Sequence, residues 1–203
     1  MDTTPNAAPT APPTPSRTPG TARSASPAAL ADHDGPPAGL RVRRPATADG
    51  AAMWRVARDS GELDLNSSYA YLVLAEHFAE TCRVAVVPDG ASPTGERVVG
   101  FVSGYRLPDD VAHLFVWQVA VDEEARGNGI AGRLLDALVD DAPDLTTVKT
   151  TVAEDNVASR TLFVRWAARR GATIGTTPLF TADHFPDAHV DEPMLVIDGV
   201  HAR

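Results

Sequence analysis

The chain reads as a mixed α/β domain, with six to seven strands and about four helices, behind a structureless tail. Three observations carry that expectation. Residues 1–38 hold nine of the 17 prolines and almost no large apolar side chain. From residue 39 onward, stretches with strand and helix periodicity follow one another in the order βααβββαβαββ, the pattern of one sheet with helices on its faces. In the middle, an apolar strand runs through a glycine-rich turn into an amphipathic helix.

Runs such as Pro12-Pro13-Thr14-Pro15 and Ser24-Ala25-Ser26-Pro27 cannot bury enough apolar surface to offset chain entropy. Residues 1–38 are therefore expected to form a disordered tail and residues 39–203 one domain. A signal peptide would need an apolar core behind a basic start, and Asp2 is followed by no apolar run. A transit peptide is the weaker alternative, with Arg17 and Arg23 among Ser and Thr. No stretch of about 20 apolar residues suggests a membrane span.

The formal net charge is −9, from 18 basic and 27 acidic residues. That argues against a nucleic-acid binder, which would usually show a basic stripe, and is compatible with a cationic small substrate. Cys82 is the single cysteine, so no intrachain disulfide can form and thiolate zinc sites are disfavoured. A soluble cytoplasmic enzyme fits these features.

Leu40-Arg41-Val42-Arg43 alternates as a short strand. Thr47 is expected to cap a helix carrying Ala51, Met53, Trp54, Val56 and Ala57, which ends at Ser60-Gly61. A polar turn, Asp64-Leu65-Asn66-Ser67, precedes a second helix over Tyr69 to Ala79. Residues 83–87 and 97–105 form a hairpin about the breaker-rich turn from Pro88 to Gly95. His113 to Val121 is the next strand. The helix from about Gly129 to Asp140 places Ile130, Leu134, Leu135, Leu138 and Val139 on one face. Thr147 to Val152 is a strand. Asn156 caps a helix with Leu162, Phe163, Trp166 and Ala167 inward. Ala172 to Thr176 and Met194 to Ile197 are the expected final strands.

The turn Arg126-Gly127-Asn128-Gly129-Ile130-Ala131-Gly132 carries the strongest chemical signal. Glycines let a backbone approach a ligand and expose its N–H groups, and the helix start adds free amides and partial positive charge. Together they suit a pyrophosphate, although a tight strand-to-helix turn would look the same. No Gly-Lys-Ser/Thr follows, which excludes a Walker A loop. Gly127, Gly129 and Gly132 have the spacing of a dinucleotide fingerprint. Such a unit usually opens with that turn, however, and here three strands precede the one leading into it.

Arg126-x-x-Gly129-x-Ala131 resembles the acetyl-CoA motif of the GNAT acetyltransferases. Asn156-x-x-Ser159-x-x-Leu162-Phe163, 30 residues on, resembles that family's second segment. The resemblance spans roughly residues 40–198 and implies acetyl-CoA as co-substrate. It further implies that backbone groups of the strand Trp117 to Val121, Val119 and Val121 among them, hold the pantetheine arm. The amides of Arg126, Gly127, Asn128, Gly129, Ile130, Ala131 and Gly132 would hold the pyrophosphate. Asn156 would add a contact besides its cap, and Arg160 and Arg165 can reach phosphates or simply face solvent. One departure stands out: many members carry a proton-donating Tyr where this chain has Phe163. Either another group protonates the thiolate or it leaves unaided.

Five stretches look like those of the diaminobutyrate acetyltransferases of ectoine synthesis: residues 59–71, Phe101 to Tyr105, Leu114 to Asp122, Ser159 to Phe163 and Pro178 to Pro186. That likeness implies acetylation of the 4-amino group of L-2,4-diaminobutyrate, and a homodimer. Asp64 is the natural partner for an ammonium. Asn66, Ser67 and Tyr69 can donate to a carboxylate, Trp117 can form an apolar or cation–π wall, and Glu192 can add a second acidic contact. Each also has a bland role, as turn cap, helix start or core. A backbone N–H near Val121 is expected to polarise the thioester carbonyl. No residue is assigned as catalytic base; His113 is conceivable but reads more naturally as structural. Asp183, His184, Asp187, His189 and Asp191 crowd one loop without metal-ligand spacing, so no metal is expected and the loop reads as a flexible site edge. The rival functions are acetylation of another small amine or diamine, a non-catalytic acyl-CoA sensor, and a protein N-terminal acetyltransferase.

Overall fold

The computed structural model describes residues 35–61 and 63–201. The expected tail therefore lies almost wholly outside the described residues. The elements follow in the expected order. They are β1 (Arg41–Arg43), α1 (Gly50–Ser60), α2 (Ser68–His77), β2 (Arg83–Pro88), β3 (Glu96–Leu107), β4 (Asp110–Val121), α3 (Ile130–Asp140), β5 (Thr147–Thr151), α4 (Val157–Arg170), β6 (Thr173–Phe180) and β7 (Glu192–Asp198).

The seven strands form one sheet in the order β1-β2-β3-β4-β5-β7-β6. All neighbours are antiparallel except β4 and β5. Helices α1 and α2 cover one face, where Met53, Val56, Tyr71 and Leu74 pack with Val84, Val86 and Phe101. Helices α3 and α4 cover the other, where Leu134, Leu135, Leu138 and Trp166 pack with Val99, Leu114, Val148 and Ile197. The five-residue stripe read on α3 is buried in full. Cys82 lies in the first of these cores, and burial pushes its thiol up to about 11. It is unreactive near neutral pH, so a thiol reagent reads released coenzyme A without interference from the folded protein.

Two of the register shifts in the sheet are single-residue bulges near its centre. Ala85 pairs with Gly100 and Val86 with Val98, which leaves Val99 as an extra residue on β3. Ser103 pairs with Gln118 and Gly104 with Val116, which leaves Trp117 as an extra residue on β4. A bulge moves later side chains to the opposite face. Val116 accordingly packs under α3 and α4, whereas Gln118 reaches Tyr71 of α2. Gly104 is needed at this bulge, because a Cβ there would come within 2.5 Å of the Phe115 carbonyl oxygen.

Boundaries differ from expectation where a long-range partner decides them. Thr47 does not cap α1. A 3₁₀ turn, Thr47–Asp49, precedes that helix, and the Asp49 carboxylate accepts from the Ala46 N–H at 2.7 Å. Thr47 instead donates to Glu76. Helix α2 stops at His77 and yields to a second 3₁₀ turn, Ala79–Thr81. Strand β6 runs to Phe180, past its expected end, because β7 pairs with it as far as Glu192.

Candidate active site

Strands β4 and β5 pair only at His113–Thr147, Leu114–Val148 and Phe115–Lys149. Beyond Phe115 they part, while each keeps its other neighbour. The split lies at the Trp117 bulge. It opens a cleft of about 1020 Å³ between the two helical layers, lined by Val119 and Gln118 of β4, Thr150 and Thr151 of β5, and Asn156, Ser159 and Phe163 at α4. Backbone groups of β4 that would otherwise bond β5 face this gap.

The glycine-rich turn follows β4. Gly127 and Gly129 have φ of +80° and +69°, a left-handed conformation that favours glycine. A Cβ at either position would meet nothing within 4 Å, so the space above the turn is open. Among the described residues, the amides from Gly127 to Gly132 donate no hydrogen bond. They are the free donors of the α3 start. The Arg126 guanidinium braces the turn, with Nε donating to the Val121 carbonyl at 3.1 Å and Nη2 to the Ser60 carbonyl at 3.3 Å. Asn128 closes the turn on itself through the Ala125 and Arg126 carbonyls. Val121 lies outside the cleft lining, and Val119 lies within it.

Asn156 lines the cleft and accepts from the Ser159 N–H at 3.0 Å, capping α4. Arg160 follows one turn into the helix and has a buried Nη1 without a partner among the described residues; Arg165 is exposed. Phe163 is buried and lines the cleft, so its position offers no proton to a leaving thiolate.

The acceptor end gathers residues from distant segments. Asp64, Asn66, Trp117 and Glu192 all line the cleft. The Asp64 side chain is 95% exposed and the Trp117 residue 45%. Glu192 accepts from the Thr151 hydroxyl at 2.8 Å, which orients its carboxylate. Ser67 and Tyr69 are not brought into the lining. Ser67 is the N-cap position of α2, and Tyr69 is 72% exposed on its first turn. His113 is far along β4, facing Asp110 at 3.4 Å.

His189 joins this group, having been read only as part of a crowded loop. Its Nε2 stands 3.8 Å from Asp64 Oδ2 and 3.7 Å from Glu192 Oε1. The ring stacks on Phe185 at 3.7 Å. Hydrogen bonding to the Val190 carbonyl raises its pKa above the ordinary imidazole value, and Glu192, Asp64 and Asp187 add to that shift. The shift favours the protonated form of the ring where it faces the two carboxylates. Polar atoms of Asp64, His189 and Glu192 lie within 4.8 Å of one another. The arrangement is a small acidic pole at the mouth of the β4–β5 split. Of its two carboxylate partners only Glu192, three residues on, is local; Asp64 comes from a distant loop, which the sequence around His189 does not show.

Residues 51–168 match the model of the Acetyltransferase (GNAT) family. The chain is 46% identical over 162 residues to the L-2,4-diaminobutyric acid acetyltransferase of Streptomyces avermitilis, covering 78% of this chain and 87% of that protein. It is 48% identical over 161 residues to the enzyme of the same name from Streptomyces coelicolor, covering 78% and 91%. Among solved structures, it resembles the diaminobutyrate acetyltransferase EctA from Paenibacillus lautus, in complex with its substrate L-2,4-diaminobutyric acid and coenzyme A. The TM-score is 0.72 at 38% identity, covering 79% of this chain and 95% of that one.

Proposed function

The chain belongs to the GNAT acetyltransferase family, and from that membership we propose its reaction: acetyl transfer from acetyl-CoA to the 4-amino group of L-2,4-diaminobutyrate. The product is N4-acetyl-L-2,4-diaminobutyrate, on the route to ectoine. The structural observation that carries this reading is the acidic pole of Asp64 and Glu192 at the mouth of the β4–β5 split. It suits an acceptor with two ammonium groups.

Acetyl-CoA fits the other part of the site. The free amides from Gly127 to Gly132 at the start of α3 suit its pyrophosphate, and the unpaired backbone of β4 about Val119 suits its pantetheine arm. Val119 and Asn156 line the β4–β5 cleft, and the glycine turn lies outside that lining. When bound, the co-substrate supplies an acetyl thioester. A backbone N–H near Val121 would polarise its carbonyl.

The attacking amine must be neutral. An alkyl ammonium of pKa about 10.4 is neutral in roughly one part in 2,500 at pH 7, a cost of about 4.6 kcal/mol. A carboxylate touching the reacting nitrogen would hold its proton on. We therefore assign Asp64 to the 2-ammonium, with Glu192 as the second acidic contact. The 4-amine is left beside the cleft, where its neighbouring cation and poor solvation ease loss of a proton through water. Asn66, which lines the cleft, is the candidate for the substrate carboxylate, whereas Ser67 and Tyr69 lie outside the lining at the start of α2. Trp117, projected by its bulge, forms the wall between acceptor and thioester. With Phe163 in place of a hydroxyl donor, the thiolate leaves unprotonated, as a thiol of pKa about 8.5 permits.

The test is release of free thiol from acetyl-CoA with L-2,4-diaminobutyrate, L-ornithine, L-lysine, putrescine and buffer alone. Diaminobutyrate should give the highest kcat/KM by a wide margin. Preference for another amine would remove the substrate assignment and keep the family. Coenzyme A binding without turnover of any amine would favour a sensor instead, the reading that Phe163 suggests.

We also propose a cytoplasmic homodimer. The family likeness supports it, as does β6, a sheet-edge strand that exposes Leu179 and Phe180. Sedimentation at the 21.4 kDa of one chain would rule the dimer out, and recovery outside the cytoplasmic fraction would rule out the location. Among the described residues, no helix is long and apolar enough to cross a membrane.

A further inference from the structure

We propose that Gln118 is a positioning residue for this reaction, holding the acceptor loop, and with it the Asp64 carboxylate, from the buried side of the sheet. The proposal rests on the amine-acceptor reading above.

Gln118 is 5% exposed, a polar side chain on the central strand. Its Nε2 donates to the Asp64 carbonyl at 3.0 Å, and its Oε1 accepts from the Tyr71 hydroxyl at 3.0 Å. The orientation of the amide follows from chemistry. A backbone carbonyl can only accept, so the NH₂ end must face Asp64 and the oxygen must face Tyr71. Tyr71 is itself fixed, fully buried on α2 with its ring edge-on to Phe101 at 5.9 Å.

The acceptor loop needs such a tie. Residues 63–66 belong to no helix or strand. Among the described residues, the bond from Gln118 is the one hydrogen bond into their backbone. Leu63 packs its side chain on the α1–α2 core, but the backbone of Asp64, which carries the carboxylate assigned to the ammonium, has this one hydrogen bond among the described residues. The Trp117 bulge makes the tie possible. Without the extra residue, Gln118 would follow Leu114 and Val116 to the α3–α4 face. One bulge therefore turns Trp117 toward the cleft and Gln118 toward the loop behind it.

A preset loop spares substrate binding the entropy of ordering it. Loss of the tie should raise KM for the amine and leave the thioester side unchanged. The variants are Gln118→Leu, Tyr71→Phe and the double variant Gln118→Leu/Tyr71→Phe, which leaves no buried hydroxyl unpaired. Steady-state kinetics and amide hydrogen exchange are measured on each. Gln118→Leu and the double variant should raise KM for L-2,4-diaminobutyrate roughly tenfold, with kcat and KM for acetyl-CoA within about twofold. Amides of residues 63–67 should exchange faster, while those of α3 and α4 keep their rates. Tyr71→Phe keeps the tie to Asp64 and should shift KM less. Lost thermal stability with an unchanged amine KM, or a parallel rise in both KM values, would reduce Gln118 to a structural residue and overturn the proposal. Exchange rates also separate this failure from failure of the substrate reading. Should the wild type ignore diaminobutyrate, unchanged loop exchange in Gln118→Leu would still overturn the tie, and faster exchange would uphold it.

Discussion

Asp64→Asn is expected to raise KM for L-2,4-diaminobutyrate by roughly 10- to 100-fold, with kcat at saturation within about twofold. Asparagine keeps the shape of the side chain and removes its charge. A hydrogen bond to a charged group contributes about 1.5–3 kcal/mol, which sets the range. The carboxylate faces the His189 ring at 3.8 Å in the free protein, so the side chain stands at the mouth of the split before substrate arrives. Because Asp64 is assigned to the nitrogen that does not react, its loss should weaken ground state and transition state alike. A fall in kcat at saturating amine with KM unchanged would mean that Asp64 acts on the reacting nitrogen, and the binding role would be wrong.

The largest expected effect on stability is at Trp166. This side chain is fully buried between α4 and the sheet, and its Nε1 donates to Asp136 at 2.9 Å. Asp136 also accepts from Arg169 at 2.7 Å and from Arg170 at 3.0 Å. Arg170 is buried as well, and donates further to Asp140 and the Val200 carbonyl. Trp166→Ala therefore opens a cavity and removes one bond from a network that neutralises a buried guanidinium. The expected cost is about 3–5 kcal/mol, a large part of the roughly 5–15 kcal/mol that stabilises most domains. At roughly 2–4 °C per kcal/mol for a chain of this size, the midpoint of thermal unfolding should fall by about 10 °C. Trp166→Phe, which keeps most of the volume, should lose less than half of that. A drop of only a few degrees for Trp166→Ala would show that α4 is anchored elsewhere.

Local pattern made much of this molecule legible. The α3 stripe and the glycine turn are short-range features, and both take the form their sequence predicts. The Asn156 cap is likewise local. What local pattern misses depends on pairing. The bulge at Trp117 exists only because β3 supplies Gly104 opposite it. Alternation read along β4 alone therefore assigns Gln118 to the wrong face. Thr47 has the composition of a cap, yet Asp49 reaches the Ala46 amide first and Arg43 holds it there at 2.6 Å. His189 has one carboxylate partner close in sequence, Glu192 three residues on, but the pairing with Asp64 joins it to a loop more than a hundred residues away that local pattern cannot show. Tyr69 illustrates the opposite case: a polar aromatic beside the acceptor loop in sequence, turned to solvent by the helix that begins at Ser68.

The central claim concerns which nitrogen receives the acetyl group. Proton and carbon NMR of the product made from acetyl-CoA and L-2,4-diaminobutyrate tests it most directly. The account predicts a shifted 4-methylene next to a new amide, with the 2-methine unchanged, because Asp64 and Glu192 retain the 2-ammonium and leave the 4-amine at the thioester. A shifted 2-methine, or an equal mixture of the two products, would contradict it.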